Sequence, residues 1–553
     1  MLSYRKLAMR VLGRPLHTGG GIDSPRPASQ RAAALVLTAA MLTTFTAPAF
    51  AKTWYIEDGD ITISASETKG TNKVSQGAEP EVEDTGTIIT NREKDASSHT
   101  VTINAGNDKV EVTLDNVNIK ADSGSALISK GDVTLTLKGD NHLTGGNGGS
   151  SSYGGDGITS SGSLTISGGT VTATGGDSTS SVGSGGSGIY SVSGGVTVSG
   201  GTVTANGGDG GSGSGSHGGN GIYSSSGVAI SGGAVTANGG DSKDGSGGNG
   251  IYSSGGVTIS SGSTVTANGG DGEDGSGGRG ITSNGGVTVS GGTVNAKGGS
   301  GKNGNGGDGI RSFNPVAISG GTVNANGGNS DYSNGGDGIR SLDHVAISGG
   351  TVKSNGGSGN LSGGNGIISY DIDLSGSLEL TAKAGSPNGK ALSRVGSELD
   401  LNTIKDKLDP GAKVTATDAD GKVIQQVSIP RPVEPEEPSS SSDSGSATPS
   451  APASFLPGLT VTDKDGQRIS YTSIRGNNVL SIRVGRFTAS LRASLATLRQ
   501  LRAEGIDTIT FQTILCSTTL SVDELLAMGG EDTEVVLTHH IRSSTLTVGG
   551  KAV

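Results

Sequence analysis

The sequence predicts an all-β protein: a right-handed parallel β-helix with three short strands per coil of about 30 residues, followed by a small α+β domain. Three observations predict this fold. A Gly-Ile step returns along the chain, the segments between these steps alternate in polarity with period two, and glycine supplies 102 of the 553 residues. An apolar side that one coil cannot bury alone becomes buried when many coils stack.

The Gly-Ile step sets the length of a coil. Its isoleucines follow one another at intervals of 28 to 33 residues: Ile158, Ile189, Ile222, Ile251, Ile281, Ile310, Ile339 and Ile367. Residues 188–208, GIYSVSGGVTVSGGTVTANGG, show the three segments of one coil. Alternation places Ile189, Val196 and Val203 on the same side of their segments, so each segment predicts a short strand with an apolar inner side.

Glycines separate the strands and permit sharp corners at little steric cost. Only the segment between the third strand and the next Gly-Ile varies in length, so insertions map to one corner. Two less regular coils, over residues 101–120 and 125–146, extend the helix back to about Trp54. Residues 375–385 are expected to form its last strands, and the more charged residues 392–426 are expected to cap the last coil.

Residues 1–51 have the pattern of a signal peptide. Basic residues precede the 14-residue apolar run AAALVLTAAMLTTF, and Ala49-Phe50-Ala51 forms a small-x-small cleavage pattern. The run is shorter than the roughly 20 residues that span a bilayer. We therefore expect cleavage before Lys52, no membrane insertion afterwards, and a protein that is secreted or held at the bacterial cell surface.

A proline-rich segment divides the rest of the chain. Residues 52–428 form the predicted β-helix with its two caps, and residues 429–454, rich in proline, glutamate and serine, are interpreted as an extended linker. Residues 455–553 predict a small α+β domain of unknown function. Its pattern indicates a hairpin over 459–472, helices over 491–505 and 521–529, and strands over 508–513, 533–540 and 545–550.

The charge and the cysteine content argue against a nucleic-acid partner and against an intramolecular disulfide. The formal net charge of −11 comes without a basic patch, so nucleic acid is not an expected partner. Cys516 is the single cysteine and cannot close an intramolecular disulfide. An extracellular chain without disulfides must gain its stability from repeated packing, and we expect this one to do so as a monomer.

The residue after each Gly-Ile changes chemistry along the chain. It is Tyr190, Tyr223 and Tyr252 in three consecutive coils, Thr282 in the next, and then Arg311 and Arg340. Alternation points this residue outward. Aromatic rings in a column are suited to stack on sugar faces, and guanidinium groups are suited to the carboxylates of uronic acids. The alternative is that the rings only cover the sheet or contact the variable corner.

Aspartates in the variable corner suggest a calcium site, because Gly- and Asp-rich turns bind calcium in some β-rolls. The candidates are Asp209, Asp241, Asp244, Asp271 and Asp274. Their spacing does not match the nonapeptide of calcium-binding β-rolls, and aspartate also favours turns through its own side-chain hydrogen bonds. Structural calcium and a simple turn role both stay open, and no other cofactor is expected.

The repeats show no catalytic arrangement. A polysaccharide hydrolase needs carboxylates on both sides of the scissile bond, whereas adjacent aspartates are absent here and His217 stands alone between Ser216 and Gly218. We therefore predict that the protein is not an enzyme.

The run from YIEDGDITIS through VTLDNVNIKADSGSALISKGDVTLTLKGDNHLTGG, with the GGxGI and ISGGTVTA units after it, resembles the carbohydrate-binding β-helix domain family of clostridial and other gut bacterial surface proteins. The resemblance covers residues 52–385. It implies binding of plant-type polysaccharides at the cell surface, with calcium as a structural ion, and it implies no particular binding residues.

The sequence thus predicts a secreted, non-catalytic protein that binds plant cell-wall or other extracellular polysaccharides. A second hypothesis is a surface adhesin or structural stalk that presents the carboxy-terminal domain. A more remote one is a polysaccharide lyase or hydrolase, since those enzymes also use β-helices.

Overall fold

The structure is a computed structural model. It describes residues 52–149, 153–213, 215–394, 396–430 and 458–552, the last range with gaps at 464–465, 470, 477, 485, 487, 514–516, 531–532 and 541–543. The predicted signal peptide, nearly all of the predicted linker and Cys516 lie outside the described residues. The chain divides into two compact units, Met1–Glu434 and Pro435–Val553.

The first unit is a parallel β-helix of about 13 turns, which confirms the predicted fold class. Its first strands are β1 (Thr53–Tyr55), β2 (Ile61–Ala65), β3 (Asn72–Gln76), β4 (Val82–Asp84), β5 (Thr87–Thr90), β6 (Val101–Asp115), β7 (Asn118–Lys120) and β8 (Leu127–Thr144). A 3-10 helix, Ile56–Asp58, follows β1. Strands β2, β3 and β4 pair antiparallel at this end, while β2 and β5 already pair in parallel with β6.

The regular coils follow. Their strands are β9 (Ile158–Ser161), β10 (Leu164–Thr174), β11 (Ile189–Ser191), β12 (Val196–Val198), β13 (Thr202–Asn206), β14 (Ile222–Ser224), β15 (Val228–Ile230), β16 (Gly233–Asn238), β17 (Ile251–Ser253), β18 (Val257–Ile259), β19 (Ser263–Asn268), β20 (Ile281–Ser283), β21 (Val287–Val289), β22 (Thr293–Lys297), β23 (Ile310–Ser312), β24 (Val316–Ile318), β25 (Thr322–Asn326), β26 (Ile339–Ser341), β27 (His344–Asn355), β28 (Ile367–Ser369) and β29 (Asp371–Lys383). We name the sheet of Gly-Ile strands the first face; the second and third faces follow in chain order.

The three faces enclose one apolar core. Each Gly-Ile isoleucine pairs with the isoleucine of the next coil and is fully buried, as at Ile189, Ile222 and Ile251. The serine two residues later also points inward, and its hydroxyl donates to a corner carbonyl, for example Ser191 to Gly194 at 2.6 Å. Buried hydroxyls therefore tie the first face to the corner that leads into the second face.

Two glycine positions show why the corners need this residue. Gly201, between the second and third faces, has φ of +82°, and a Cβ there would lie 1.7 Å from the carbonyl oxygen of Gly168. At the variable corner, a Cβ on Gly208 would lie 2.2 Å from the carbonyl oxygen of Gly176. Successive coils approach too closely at these points for any side chain.

The far end of the solenoid is closed by short antiparallel pairs. The strands are β30 (Leu392–Arg394), β31 (Ser397–Glu398), β32 (Lys413–Thr417) and β33 (Val423–Ser428), and a 3-10 helix spans Leu401–Lys407. Strand β30 extends the first face and β32 extends the third. Strand β33 then pairs antiparallel with β32, so the parallel stack ends there.

The second unit is small and rich in strands. Its elements are β34 (Leu459–Thr462), β35 (Thr472–Gly476), β36 (Val479–Arg483), β37 (Ala489–Ser494), α1 (Leu495–Ala503), β38 (Thr508–Gln512), β39 (Ser517–Ser521), α2 (Val522–Leu526), β40 (Glu534–His539), β41 (Ser544–Val548) and β42 (Lys551–Ala552). They form one sheet in the order β34-β37-β40-β41-β42 and a second in the order β35-β36-β38-β39.

Two predicted elements of this unit differ in the structure. The helix expected from residue 491 begins at Leu495, because the Ser494 side chain accepts the N–H of Thr497 as an N-cap and residues 491–493 pair with β40. The expected hairpin over 459–472 is short: Thr462 bridges Arg468 and the N–H of Ile469 donates to the Val461 carbonyl at 2.9 Å, while β34 also pairs with β37. Across the described residues of the chain, no helix is long and apolar enough to cross a membrane.

Candidate functional site

The column after Gly-Ile lies in register on the outside of the first face. Tyr190 pairs with Tyr223 and Tyr223 with Tyr252, and further along Arg311 pairs with Arg340. The three tyrosines are partly exposed, whereas Thr282 is buried between Tyr252 and Arg311. The structure therefore brings the predicted residues into one line, with an aromatic half and a cationic half.

The tyrosine rings stack on one another. The ring centroids of Tyr190 and Tyr223 are 4.7 Å apart at 27°, and those of Tyr223 and Tyr252 are 5.1 Å apart at 2°. The stacking covers both faces of Tyr223 and one face each of Tyr190 and Tyr252. The prediction that the rings stack on sugar faces therefore applies to the two outer ring faces only, and it stays a prediction. The rest of the column can contact a sugar through ring edges and phenol hydroxyls. The Tyr252 hydroxyl also accepts the side-chain N–H of Asn284 at 3.3 Å.

The cationic half is an ion-pair cluster. The Arg340 guanidinium lies 3.2 Å from the Asp337 carboxylate, and those of Arg311 and Arg279 each lie 3.6 Å from Asp308. The two carboxylates are nearly buried, with 8% and 6% of the side chains of Asp308 and Asp337 exposed. Three cations against two anions leave an excess of one positive charge.

Burial sets the electrostatics of this cluster. It raises the pKa of the Asp337 carboxyl, and the neighbouring Asp308 carboxylate raises that pKa further. Burial also lowers the pKa of the Arg311 guanidinium, with Arg279 and Arg340 adding to the effect. Among the described residues, the buried Nε atoms of Arg311 and Arg340 have no hydrogen-bond partner. These two donors lie inside the cluster, away from solvent.

Sequence reasoning counted Asp308 among the acidic residues of the corners but did not bring Asp308, Asp337 and Arg279 together. Each lies two residues before a Gly-Ile isoleucine, so consecutive coils stack them although 29 residues separate Asp308 from Asp337. The N–H of Asp337 donates to the Asp308 carboxylate at 2.9 Å. The repeat contains the signal that would have found them. When the coils are aligned on Gly-Ile, the position two residues before the isoleucine holds Arg279, Asp308 and Asp337 in consecutive coils.

The corner aspartates divide into two groups. Asp209, Asp241 and Asp271 stack, and each accepts the backbone N–H of the equivalent residue in the next coil at 2.6 to 2.9 Å. Burial raises the pKa of Asp209. Asp244 and Asp274 lie further along the corner, where Asp274 accepts the side-chain N–H of Asn303 at 2.6 Å.

The stacked carboxylates therefore have a demonstrated role as turn acceptors. They border a groove of about 530 Å³ that Lys243 and Lys302 also line. Within the described residues, no group of three or more histidine, cysteine or acidic side chains is arranged to hold a metal ion. The calcium site stays a prediction.

Comparison with known proteins agrees with the fold. Residues 164–188, 196–220 and 316–339 match a protein-family model described as Beta helix repeat. The chain is a β-helix repeat protein. No curated protein and no solved structure matches it.

Proposed function

We propose that this β-helix repeat protein is an extracellular, non-catalytic polysaccharide-binding protein whose glycan lies along the first face. One observation carries the proposal: the column after Gly-Ile is in register over six coils and passes from three phenols to two guanidinium groups. Coils repeat at about 4.8 Å, so the column offers evenly spaced polar groups to a chain molecule. Export to the cell surface or medium is part of the proposal and rests on residues 1–51.

The stacked geometry determines how the tyrosines would bind. Because stacking covers both faces of the central ring and one face of each outer ring, hydrogen bonds from Tyr190, Tyr223 and Tyr252 hydroxyls to sugar hydroxyls supply most of the contact. The excess positive charge near Arg311 and Arg340 favours a carboxylate on the same glycan. A polysaccharide that contains uronic acids fits both halves of the column.

The test compares two triple variants of the tyrosines on a glycan array. Changing all three to phenylalanine keeps the stacked rings and removes the hydroxyls, and we expect affinity to fall at least tenfold. Changing all three to alanine also removes two stacked pairs, so a modest loss of thermal stability accompanies the same loss of binding. Unchanged binding by the phenylalanine variant, with an unchanged circular dichroism spectrum, would refute the role of the column.

The cationic half has its own test. Arg340→Gln is expected to weaken acidic glycans selectively and to make the remaining binding less sensitive to salt, because screened ion pairs contribute less as ionic strength rises. Lys353→Gln removes an exposed cation from the third face and serves as the control. If both variants lose the same affinity for acidic glycans, the net charge of the protein and not the position of Arg340 determines that affinity.

A second candidate function rests on Asp308 and Asp337. β-Helices occur in pectate lyases as well as in non-enzymes, and two neighbouring carboxylates can act as acid and base when the pKa of one is raised, as burial does for Asp337. Here the guanidinium groups lie against both carboxylates and little of either side chain is exposed, which favours binding over catalysis. Release of unsaturated or reducing sugars from pectin by the protein, abolished by Asp337→Asn, would establish the enzyme instead.

A further inference from the structure

A separate cleft lies at the corner between the first and second faces in the last coils of the solenoid. It encloses about 680 Å³, within the range of ligand pockets, and the 3-10 helix Leu401–Lys407 borders it. Its apolar lining comes from Ile372, Leu399 and Ile404, which are 3 to 5% exposed. These three side chains also belong to the core, so the floor of the cleft is fixed by packing.

Ion pairs line the polar side of the cleft. Arg394 lies 3.0 Å from Asp371, and Lys407 lies 2.8 Å from Asp373. The imidazole of His344 lies 3.3 Å from Asp343. Each of these side chains is about half exposed. The cleft therefore presents carboxylate acceptors beside nitrogen donors, and its two permanent cations are neutralised by their partners.

An aromatic ring completes the cleft. Tyr370 is 65% exposed, and it occupies the corner position three residues after the Gly-Ile isoleucine. The same position holds Leu342 in the preceding coil and Phe313, 45% exposed, in the coil before that. A ledge of apolar side chains thus runs along the axis and ends in the cleft.

We propose that this cleft binds a neutral oligosaccharide segment. A sugar ring has an apolar C–H face, which an exposed tyrosine ring accommodates, and a rim of hydroxyls, which both donate to carboxylates and accept from guanidinium and ammonium groups. Since the cations are already paired, a uronate gains little there. The ledge allows the neighbouring sugar of a chain to continue toward Leu342 and Phe313. This site goes beyond the first-face column and shares no residue with it.

The experiment measures binding of cellohexaose, xylohexaose and hexagalacturonate to the full chain by calorimetry. Tyr370→Ala is expected to weaken binding of a neutral hexasaccharide about tenfold, the scale of one aromatic contact. Tyr332→Ala is the matched control, because Tyr332 is 61% exposed but lies at the variable corner, and it should leave affinity unchanged. Neutral binding should also be insensitive to salt.

The ion pairs give a second variant. Asp371→Asn with Asp373→Asn removes two acceptors that are about half exposed, so the fold should persist, while neutral binding falls at least tenfold. Full affinity in both cleft variants, or no binding of either neutral hexasaccharide by the parent at millimolar concentration, would overturn the site. The two cleft variants should bind hexagalacturonate as the parent does, because a uronate gains little in the cleft, so failure of the column and failure of the cleft are distinguishable.

Discussion

The Asp84 carboxylate joins two segments, residues 52–54 and 84–86, at the amino-terminal end of the solenoid. It accepts the indole N–H of Trp54 at 2.8 Å and the backbone N–H groups of Lys52 and Gly86, each at 3.2 Å. Asp84 is 4% exposed. Cleavage before Lys52, which the sequence predicts, would place a new α-ammonium group at this buried carboxylate, where its charge would be stabilised.

Asp84→Ala should destabilise this end of the solenoid by about 2 kcal/mol or more, because it leaves buried donors without an acceptor. Trp54 is the single tryptophan, so its fluorescence during denaturation in urea reports on this region. Asp132→Ala, at an exposed position of β8, is the control and should have little effect. If the Trp54 fluorescence of the Asp84 variant changes at the same urea concentration as in the parent, water replaces the lost acceptor.

His539 makes the second unit sensitive to acid. The residue is fully buried, its two ring nitrogens lie 3.2 Å from the Thr513 hydroxyl and 2.9 Å from the Thr518 hydroxyl, and burial lowers its pKa below the ordinary value near 6.5. The unfolded chain therefore binds a proton more readily than the folded one. Stability should be constant above about pH 6.5 and should fall as the pH drops below it.

Calorimetry of the full chain between pH 5 and 8, roughly the range over which histidine titrates, checks this expectation. His539→Gln should remove the acid-dependent part of one transition, whereas His217→Gln, in an exposed loop of the solenoid, should leave it unchanged. An identical pH dependence in the His539 variant would assign the effect to other groups.

At the scale of elements, adjacent glycines in one corner have different requirements. Gly201 has φ of +82° and a backbone oxygen 1.7 Å from where its Cβ would be, whereas a Cβ on Gly200 would meet no atom within 4 Å. The corner between the second and third faces thus depends on Gly201, the second glycine of the pair.

Gly201→Ala should lower the free energy of unfolding by roughly 1–3 kcal/mol or more, because it combines an unfavourable φ with a clash against the preceding coil. Gly200→Ala should be nearly neutral or slightly stabilising, since it only restricts the unfolded chain. Chemical denaturation of the two variants, side by side, measures the difference. Equal effects would mean that the coils shift enough to accept a methyl group.

These elements also show which features a sequence predicts. The period-two alternation predicts that Ile189 is buried and that Tyr190 points outward, because both follow from strand geometry alone. Ring stacking between Tyr190 and Tyr223, and pairing of Arg340 with Asp337, depend on rotamers and on the neighbouring coil. The cleft beside the 3-10 helix Leu401–Lys407 could not be predicted from the sequence for the same reason, because its lining depends on where that helix packs.

At the scale of the whole molecule, the two units have separate cores. The solenoid core extends from Trp54 to Val427, and the second core extends from Leu459 to Val548. Residues 429–454, which join them, contain proline, glutamate and serine and little that could be buried. Each unit should therefore remain folded when the chain between them is cut.

Limited digestion with a nonspecific protease should cut within residues 429–454 and release two resistant pieces, one for each core. Mass spectrometry identifies the new ends, and circular dichroism shows whether each piece is folded. Rapid loss of both pieces, or survival of the intact chain alone, would contradict independent folding.

Because successive coils pair identically, a solenoid of this kind can gain or lose whole coils in evolution. Ile310 pairs with Ile281 on one side and Ile339 on the other, and Val316 and Thr322 pair with their equivalents in the same manner, always 29 residues away. Unequal recombination between such repeats in the gene would remove or add whole groups of 29 codons without changing the reading frame or either cap. Lineages could thereby inherit solenoids that differ in reach by whole coils, each with closed ends and an intact core.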